Sequence, residues 1–375
     1  MSASYDFVIV GAGINGLLLA RNLSNAGARV LLLDKSGPGQ ESSWAGGGII
    51  SPLYPWRYPA AITALASWAQ DYYPGLAEAL AAETGIDVQC RASGLLMLDA
   101  DDSDEAIVWA EHFGRQVEQL GKQEIYQREA GLAAGFEAGL WMPQIANIRN
   151  PRLCRALLES LRLSKRVEIK SHCQLLGFES KAGRLTALQL RDQRAACDLK
   201  LAAPGVIITA GAWSGRVAAA AGLQIDVHPV KGQMLLYKFP APPIASIVLT
   251  AGRYLIPRAD GHLLVGSTLE YAGFDKQASR QASDSLQDSA RAMLPMLANN
   301  KPVGQWAGLR PGSGDGIPLI GRLPGFDNLY INAGQFRNGL VLAPASAELM
   351  KNLLLGEAPI VDPWPYEPGR ESVRV

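Results

Sequence analysis

The chain has 375 residues, with 35 Lys plus Arg against 35 Asp plus Glu, 48% apolar and 19% charged side chains. That composition excludes a disordered chain, and its balanced charge leaves no electrostatic footprint for nucleic acid or an anionic membrane. The 39 glycines in 375 residues exceed the roughly 7% of an average protein, so their positions are informative.

Residues 5–10 form an apolar run suited to a buried parallel strand, 14–25 carry apolar residues at helical spacing, and 29–33 read as a second strand. This is a βαβ unit. Residues 36–59 are dense in Gly, Ser and Pro, without sustained period, and irregular stretches of that length are often functional. A helix is expected over 60–84, interrupted at Pro74-Gly75, then a hairpin of 88–91 with 95–98, and a helix over 103–120 whose acidic start suits a helix N-terminus. Asn150-Pro151 opens a helix to Leu163. Strands are expected at 167–170, 175–179, 185–190, 206–209, 235–238, 254–257 and 263–265, then a helix over 282–297, a turn-rich stretch, a strand at 329–332 and a helix over 340–355.

Cys90, Cys154, Cys173 and Cys197 are scattered, as are His112, His172, His228 and His262. No metal site is expected, and the thiols read as reduced ones of a cytoplasmic protein. The start lacks a signal-peptide pattern, and no run reaches the roughly 18 apolar residues of a membrane span.

Gly11-Ala12-Gly13-Ile14-Asn15-Gly16 stands between strand and helix. Gly11 permits the tight turn, Gly13 lets backbone approach a pyrophosphate, Gly16 lets the helix pack on the strand, and the helix N-terminus faces the phosphates. Asp34 ends the second strand, placed to accept ribose hydroxyls and to disfavour a 2′-phosphate; Lys35 follows it. The motif alone does not separate FAD from NAD. Three further segments bear on that choice. In Ser42-Ser43-Trp44-Ala45-Gly46-Gly47-Gly48-Ile49, small residues let amides approach a pyrophosphate or flat ring, and Trp44 is expected to turn inward. Gly205 to Trp213 is a buried strand ending in Thr209-Ala210-Gly211. Gly308-Leu309-Arg310-Pro311 and Phe336-Arg337-Asn338-Gly339-Leu340 precede the last helix, whose N-terminus suits the negative charge of a reduced flavin.

Together these segments make the chain resemble the D-amino-acid oxidase family of flavoproteins over nearly its whole length. The resemblance implies a Rossmann-like FAD-binding domain interleaved with an α+β substrate domain built on an antiparallel sheet. Expected divisions are 1–84, 147–222 and 306–365 for the first, 85–146 and 223–305 for the second, and a flexible tail at 366–375. It implies Arg310 as partner of a substrate carboxylate, Tyr254 as a second donor to it, Arg337 beside flavin and substrate, Ser51 in the pocket wall, and Leu175 against adenine. Gln335 stands where some relatives have histidine. With no cysteine between Gln305 and Val375, FAD is expected to be non-covalent.

The reaction that the resemblance implies is oxidative deamination of glycine, sarcosine or small D-amino acids by hydride transfer to flavin N5. It gives oxo acid, ammonia or amine, and hydrogen peroxide, without an acid–base side chain, and is linked to thiamine thiazole synthesis. Partners are the amino acid and molecular oxygen, with no nucleic acid and no membrane. The oligomeric state stays open, a homo-oligomer included. The competing readings are a D-amino-acid dehydrogenase passing electrons to a quinone, a flavin domain acting on a tRNA-attached amine, and a non-catalytic flavin-binding module.

Overall fold

A computed structural model describes residues 5–370. Its first sheet has six strands in the order Leu319–Arg322, Leu329–Ala333, Gly205–Ile208, Phe7–Val10, Val30–Asp34 and Val167–Ser171. All neighbours are parallel except the first two. Phe7–Val10 is central because both its faces are covered. Ile9, with Leu32 and Ile207 on neighbouring strands, enters a core shared with the helices Ile14–Asn25, Ala60–Thr84, Asn150–Leu163 and Gly339–Leu355. Val8 and Val10 alternate to the opposite face, against Leu185, Leu188 and Leu190 of a three-stranded antiparallel sheet formed by Cys173–Lys181, Arg184–Asp192 and Cys197–Ala202. Burial on two faces explains the continuous apolar runs. The chain leaves Phe7–Val10 toward Val30–Asp34 on one side and meets Gly205–Ile208 on the other, so its carboxyl end is a topological switch point.

The second sheet has eight strands, ordered Gly304–Ser313, Val227–Lys238, His262–Gly266, Arg253–Pro257, Ile247–Thr250, Leu95–Leu98, Ala138–Met142 and Glu118–Gly121. It is antiparallel except where Ile247–Thr250 runs parallel to Leu95–Leu98. Leu235, Tyr237, Leu255, Leu263 and Val265 bury one face against Leu286, Ala290 and Met293 of the helix Arg280–Met293.

Several expectations change. The helix Ala60–Thr84 runs unbroken through Pro74. One lost backbone bond is offset there by burial of Tyr73, whose hydroxyl donates to Leu340 O at 2.6 Å, and of Leu76. Residues 88–91 and 95–98 form no hairpin: Arg91–Ala92 pairs with Ala146–Asn147, and Leu95–Leu98 is drawn into the large sheet. The expected helix over 103–120 stops at Phe113 because Gly114, at φ 62°, caps it in the left-handed conformation, and Glu118–Gly121 is a strand. The turn-rich stretch after residue 297 contains the ten-residue strand Gly304–Ser313. The expected division at 305/306 falls inside that strand. Tyr366, expected in a flexible tail, is buried and donates to Ala61 O at 2.7 Å, while Arg370 pairs with Asp315. The chain there is held by a core aromatic and a half-buried ion pair. Residues 371–375 of that tail lie outside the described residues.

Candidate active site

A cavity of about 490 Å³ runs from the switch point to the large sheet. Gly11, Gly13, Ile14, Asn15, Asp34, Lys35, Ser42, Ser43, Ala45 and Gly46 to Ile49 line it, as do Leu175, Ala210, Gly211, Trp213 and Arg337 to Leu340. Ser51, Tyr254 and Arg310 line it too. Gly16 does not, and its reason is packing: a Cβ there would lie 2.0 Å from Gly11 O and 2.9 Å from Thr209 Oγ1. The Thr209 hydroxyl donates to Gly11 O at 2.6 Å, tying the glycine turn to the neighbouring strand.

Asp34 is engaged with the glycine turn itself. Its Oδ2 accepts Ala12 N–H at 2.8 Å and its Oδ1 accepts Ser36 N–H at 2.7 Å, so it braces the glycine turn while each oxygen keeps a free lone pair. Burial raises its pKa against those amides, which pull it down. Ser43 Oγ accepts Ile14 N–H at 2.8 Å and so caps the first helix, leaving the next first-turn amides without intrahelical partners. Trp44 turns outward, contrary to expectation. It is 44% exposed, edge-on to Trp306 at 5.4 Å, whose indole N–H donates to Ala45 O at 2.9 Å and occupies the space behind the loop. The Lys35 ammonium stands 3.6 Å from the centre of the Trp213 ring, and burial lowers its pKa.

At the other end two guanidinium groups, of Arg310 and Arg337, line the cavity, and a third stands behind its wall. Arg310 projects from Gly304–Ser313, and Gly232 on the neighbouring strand, two residues beyond the facing Val230, leaves it room: a Cβ at Gly232 would stand 2.2 Å from Arg310 Nη2. Its nitrogens donate to Thr268 O at 3.1 Å, Lys231 O at 3.4 Å and Ser267 Oγ at 2.7 Å. All three acceptors are neutral. Burial lowers its pKa, opposed by Tyr254 and reinforced by the like charge of Arg337, yet an arginine starts high enough to stay charged. Arg337 lines the cavity on the turn Phe336–Asn338, exposed and without an ion pair among the described residues. The third was not foreseen as a site residue. Arg258 is 5% exposed, donates to Gly47 O at 2.7 Å and to Asn147 Oδ1, and burial lowers its pKa to about 10. Among the described residues the only acidic lining residues are Asp34, at the end of Val30–Asp34, and Glu41, in the loop that follows. The Arg310 end therefore has cations without carboxylates, an arrangement that favours an anionic ligand.

Tyr254 is buried, and its hydroxyl donates to Met234 Sδ at 3.4 Å. Ser51 is buried with its hydroxyl donating to Pro52 O at 2.9 Å. Gln335 is also buried and donates to Asn332 Oδ1 at 2.7 Å. No histidine lines the cavity. Met234, Asn150, Gly232 and Ser267 also escaped sequence reasoning. Asn150 is the first residue of the helix Asn150–Leu163, with Arg149 at its N-cap, and the others carry no local motif.

A family model described as FAD dependent oxidoreductase, DAO, matches residues 6–353. The chain belongs to this family. A curated glycine oxidase from Pseudomonas aeruginosa is 48% identical over 361 residues, covering 96% of this chain and 98% of the relative. The solved glycine oxidase from Geobacillus kaustophilus aligns with a TM-score of 0.90 at 27% identity over 98% of each chain. A bifunctional protein ThiO/ThiG from Synechocystis is 28% identical over 365 residues, 95% of this chain and 52% of that protein.

The cavity fits the family's FAD. Added Cβ atoms would lie 2.5 Å from Thr209 O at Gly11, 2.8 Å from Ile256 Cδ1 at Gly47 and 2.1 Å from Ile148 O at Gly48. Bare backbone is thus required along the path expected for a dinucleotide and a flat ring. Asn15 Oδ1 and Asn150 Oδ1 are buried without a protein partner, and both residues line the cavity. Such orphaned acceptors suit hydroxyl or ring N–H donors of a ligand. No helix among the described residues is long and apolar enough to cross a membrane.

Proposed function

We propose that the protein is an FAD-dependent oxidase of glycine and other small amino acids. It would turn substrate and oxygen into an oxo acid, ammonia or amine, and hydrogen peroxide. The observation that carries this reading is the Arg310 guanidinium, held in the cavity by three neutral oxygens and no carboxylate. Two of its donors can form a fork to a substrate carboxylate. The Tyr254 hydroxyl, whose proton goes to the weak sulfur acceptor of Met234, adds a third donor. Arg337 and Arg258 add positive potential, and Arg258 fixes the carbonyl of Gly47 in the same wall.

When bound, FAD supplies the acceptor for the α-hydrogen as hydride. The protein's task is orientation, since no imidazole is present to hold a proton and anchoring the carboxylate fixes the α-carbon. We assign FAD to a unit made of residues 1–84, 147–222 and the chain beyond Ser313. Its non-covalent contacts run through Gly11, Asn15, Asp34, the Ser42 to Ile49 loop, Leu175, Gly211, Trp213 and the Arg337 to Leu340 turn. The match to the bifunctional ThiO/ThiG protein supports a place in thiamine thiazole synthesis, and the free thiols support a cytoplasmic location.

Anaerobic addition of glycine, sarcosine, D-alanine and D-proline to the holoenzyme, followed in the flavin absorption band, tests the assignment. Glycine or sarcosine is expected to bleach the flavin, and admission of oxygen to restore it with release of peroxide. Bleaching that only an artificial acceptor reverses would identify a dehydrogenase, and a band no amine bleaches would identify a binding module.

A further inference from the structure

Among the described residues, the methionines fall into three environments. Met97, Met142, Met293 and Met350 are at most 3% exposed and lie off the cavity, while Met296 is 44% exposed on the outer surface. Met234 is 3% exposed, yet it alone of them lines the cavity. It stands on Val227–Lys238 opposite Gly266, and the absence of a side chain at Gly266 makes room for it: a Cβ there would lie 2.4 Å from Met234 Sδ and 2.5 Å from Tyr254 Cε2. The sulfur accepts the Tyr254 hydroxyl at 3.4 Å. Thus a polarizable nucleophile is shielded from bulk solvent and open to whatever forms in the cavity.

We propose that Met234 is a self-oxidation site, its thioether taking an oxygen atom from the peroxide made beside it. The inference rests on the oxidase reading above, which supplies the oxidant. A sulfur lone pair attacks one peroxide oxygen, the S–O bond forms, and the O–O bond breaks. The proton on the transferred oxygen ends on the departing one, which leaves as water. Sulfur is oxidised by two electrons, peroxide is reduced by two, and Tyr254 is unchanged. Release of peroxide within the same cavity gives an effective concentration that bulk solution does not reach.

The product changes the site. A sulfoxide oxygen is a far better acceptor than a thioether, so it holds the Tyr254 hydroxyl that would otherwise meet the substrate carboxylate. Turnover then weakens binding of the next substrate, and the enzyme slows in proportion to its own history.

The test turns over holoenzyme on glycine in air with catalase outside. Oxygen uptake is recorded and the Met234 and Met296 peptides are weighed at intervals. Met234 should gain one oxygen progressively while Met296 stays unmodified, and KM for glycine should rise several-fold with the oxidised fraction. Peroxide added without substrate should reverse the order and modify Met296 first. Met234→Leu removes the thioether, so its KM, whatever its starting value, should not drift over the same number of turnovers. Oxygen uptake without Met234 oxidation, equal oxidation of both methionines, or a drift that persists in Met234→Leu each overturns self-oxidation while leaving the oxidase reading intact. Absence of oxygen uptake overturns both.

Discussion

At the switch-point end of the cavity the lining is largely main chain. Gly11 and Gly13 present backbone, and two of the side chains there, Asp34 and Ser43, are occupied in bracing that backbone. At the opposite end the lining is side chains carried on strands distant in sequence, with Arg310 from Gly304–Ser313, Tyr254 from Arg253–Pro257 and Met234 from Val227–Lys238. A surface made of backbone depends on shape alone, so a single added carbon breaks it. One made of side chains depends on charge and register, so it can be retuned without loss of the fold.

The largest effect expected from this contrast is at Gly16. Gly16→Val places carbon 2.0 Å from Gly11 O, so the turn and helix must separate, at a cost of about 3 kcal/mol. The variant should be purified without flavin, and retention of yellow colour would break the contrast. Next comes Arg310→Met, which should leave the flavin spectrum unchanged and raise KM for glycine about 100-fold, equivalent to about 2.7 kcal/mol. Arg310→Lys should recover little of it, because one ammonium cannot form the fork. The smallest effect sharpens the picture of the pocket wall. Arg57 Nη2 donates to Asp102 Oδ1 at 2.7 Å and its guanidinium stacks 4.0 Å over the Tyr54 ring, fastening the segment that carries Ser51 and Leu53. The hydrogen bond from Arg57 holds the Asp102 pKa down to about 2. A folded pKa below the unfolded value means that the stabilisation is present above about pH 4 and is lost as pH falls through the folded pKa. With the arginine 46% and the aspartate 25% exposed, Asp102→Asn should cost only about 0.5 kcal/mol at pH 7, and wild type and variant should converge near pH 2 in urea titrations.

This contrast also marks what was readable in the sequence. Gly11 to Gly16, Asp34 and the Ser42 to Gly48 loop were legible because local backbone demands leave local signatures, as did Gly114, whose helix-stopping signal was available but passed over. Arg310, Tyr254 and Arg337 came from resemblance. Arg258, Met234 and Ser267 stayed hidden because only register joins them: Met234 and Tyr254 both pair with Gly266, and Arg310 faces Val230. The strand Gly304–Ser313 was masked by its glycines and Pro311, yet these glycines serve close packing rather than turns: a Cβ would lie 2.6 Å from Ala45 Cβ at Gly308 and 2.8 Å from His228 Nε2 at Gly312.

The six-stranded sheet draws its members from both extremities, with Phe7–Val10 at its middle and Leu319–Arg322 and Leu329–Ala333 at one edge. A nascent chain emerging from the ribosome therefore makes its glycine turn early, yet waits for Leu319–Arg322, Leu329–Ala333 and the turn at Arg337, all far later in the sequence, before the sheet and the cleft beside it are complete. Closure of the cleft is thus a late event in synthesis, set by non-local pairing between strands distant in sequence.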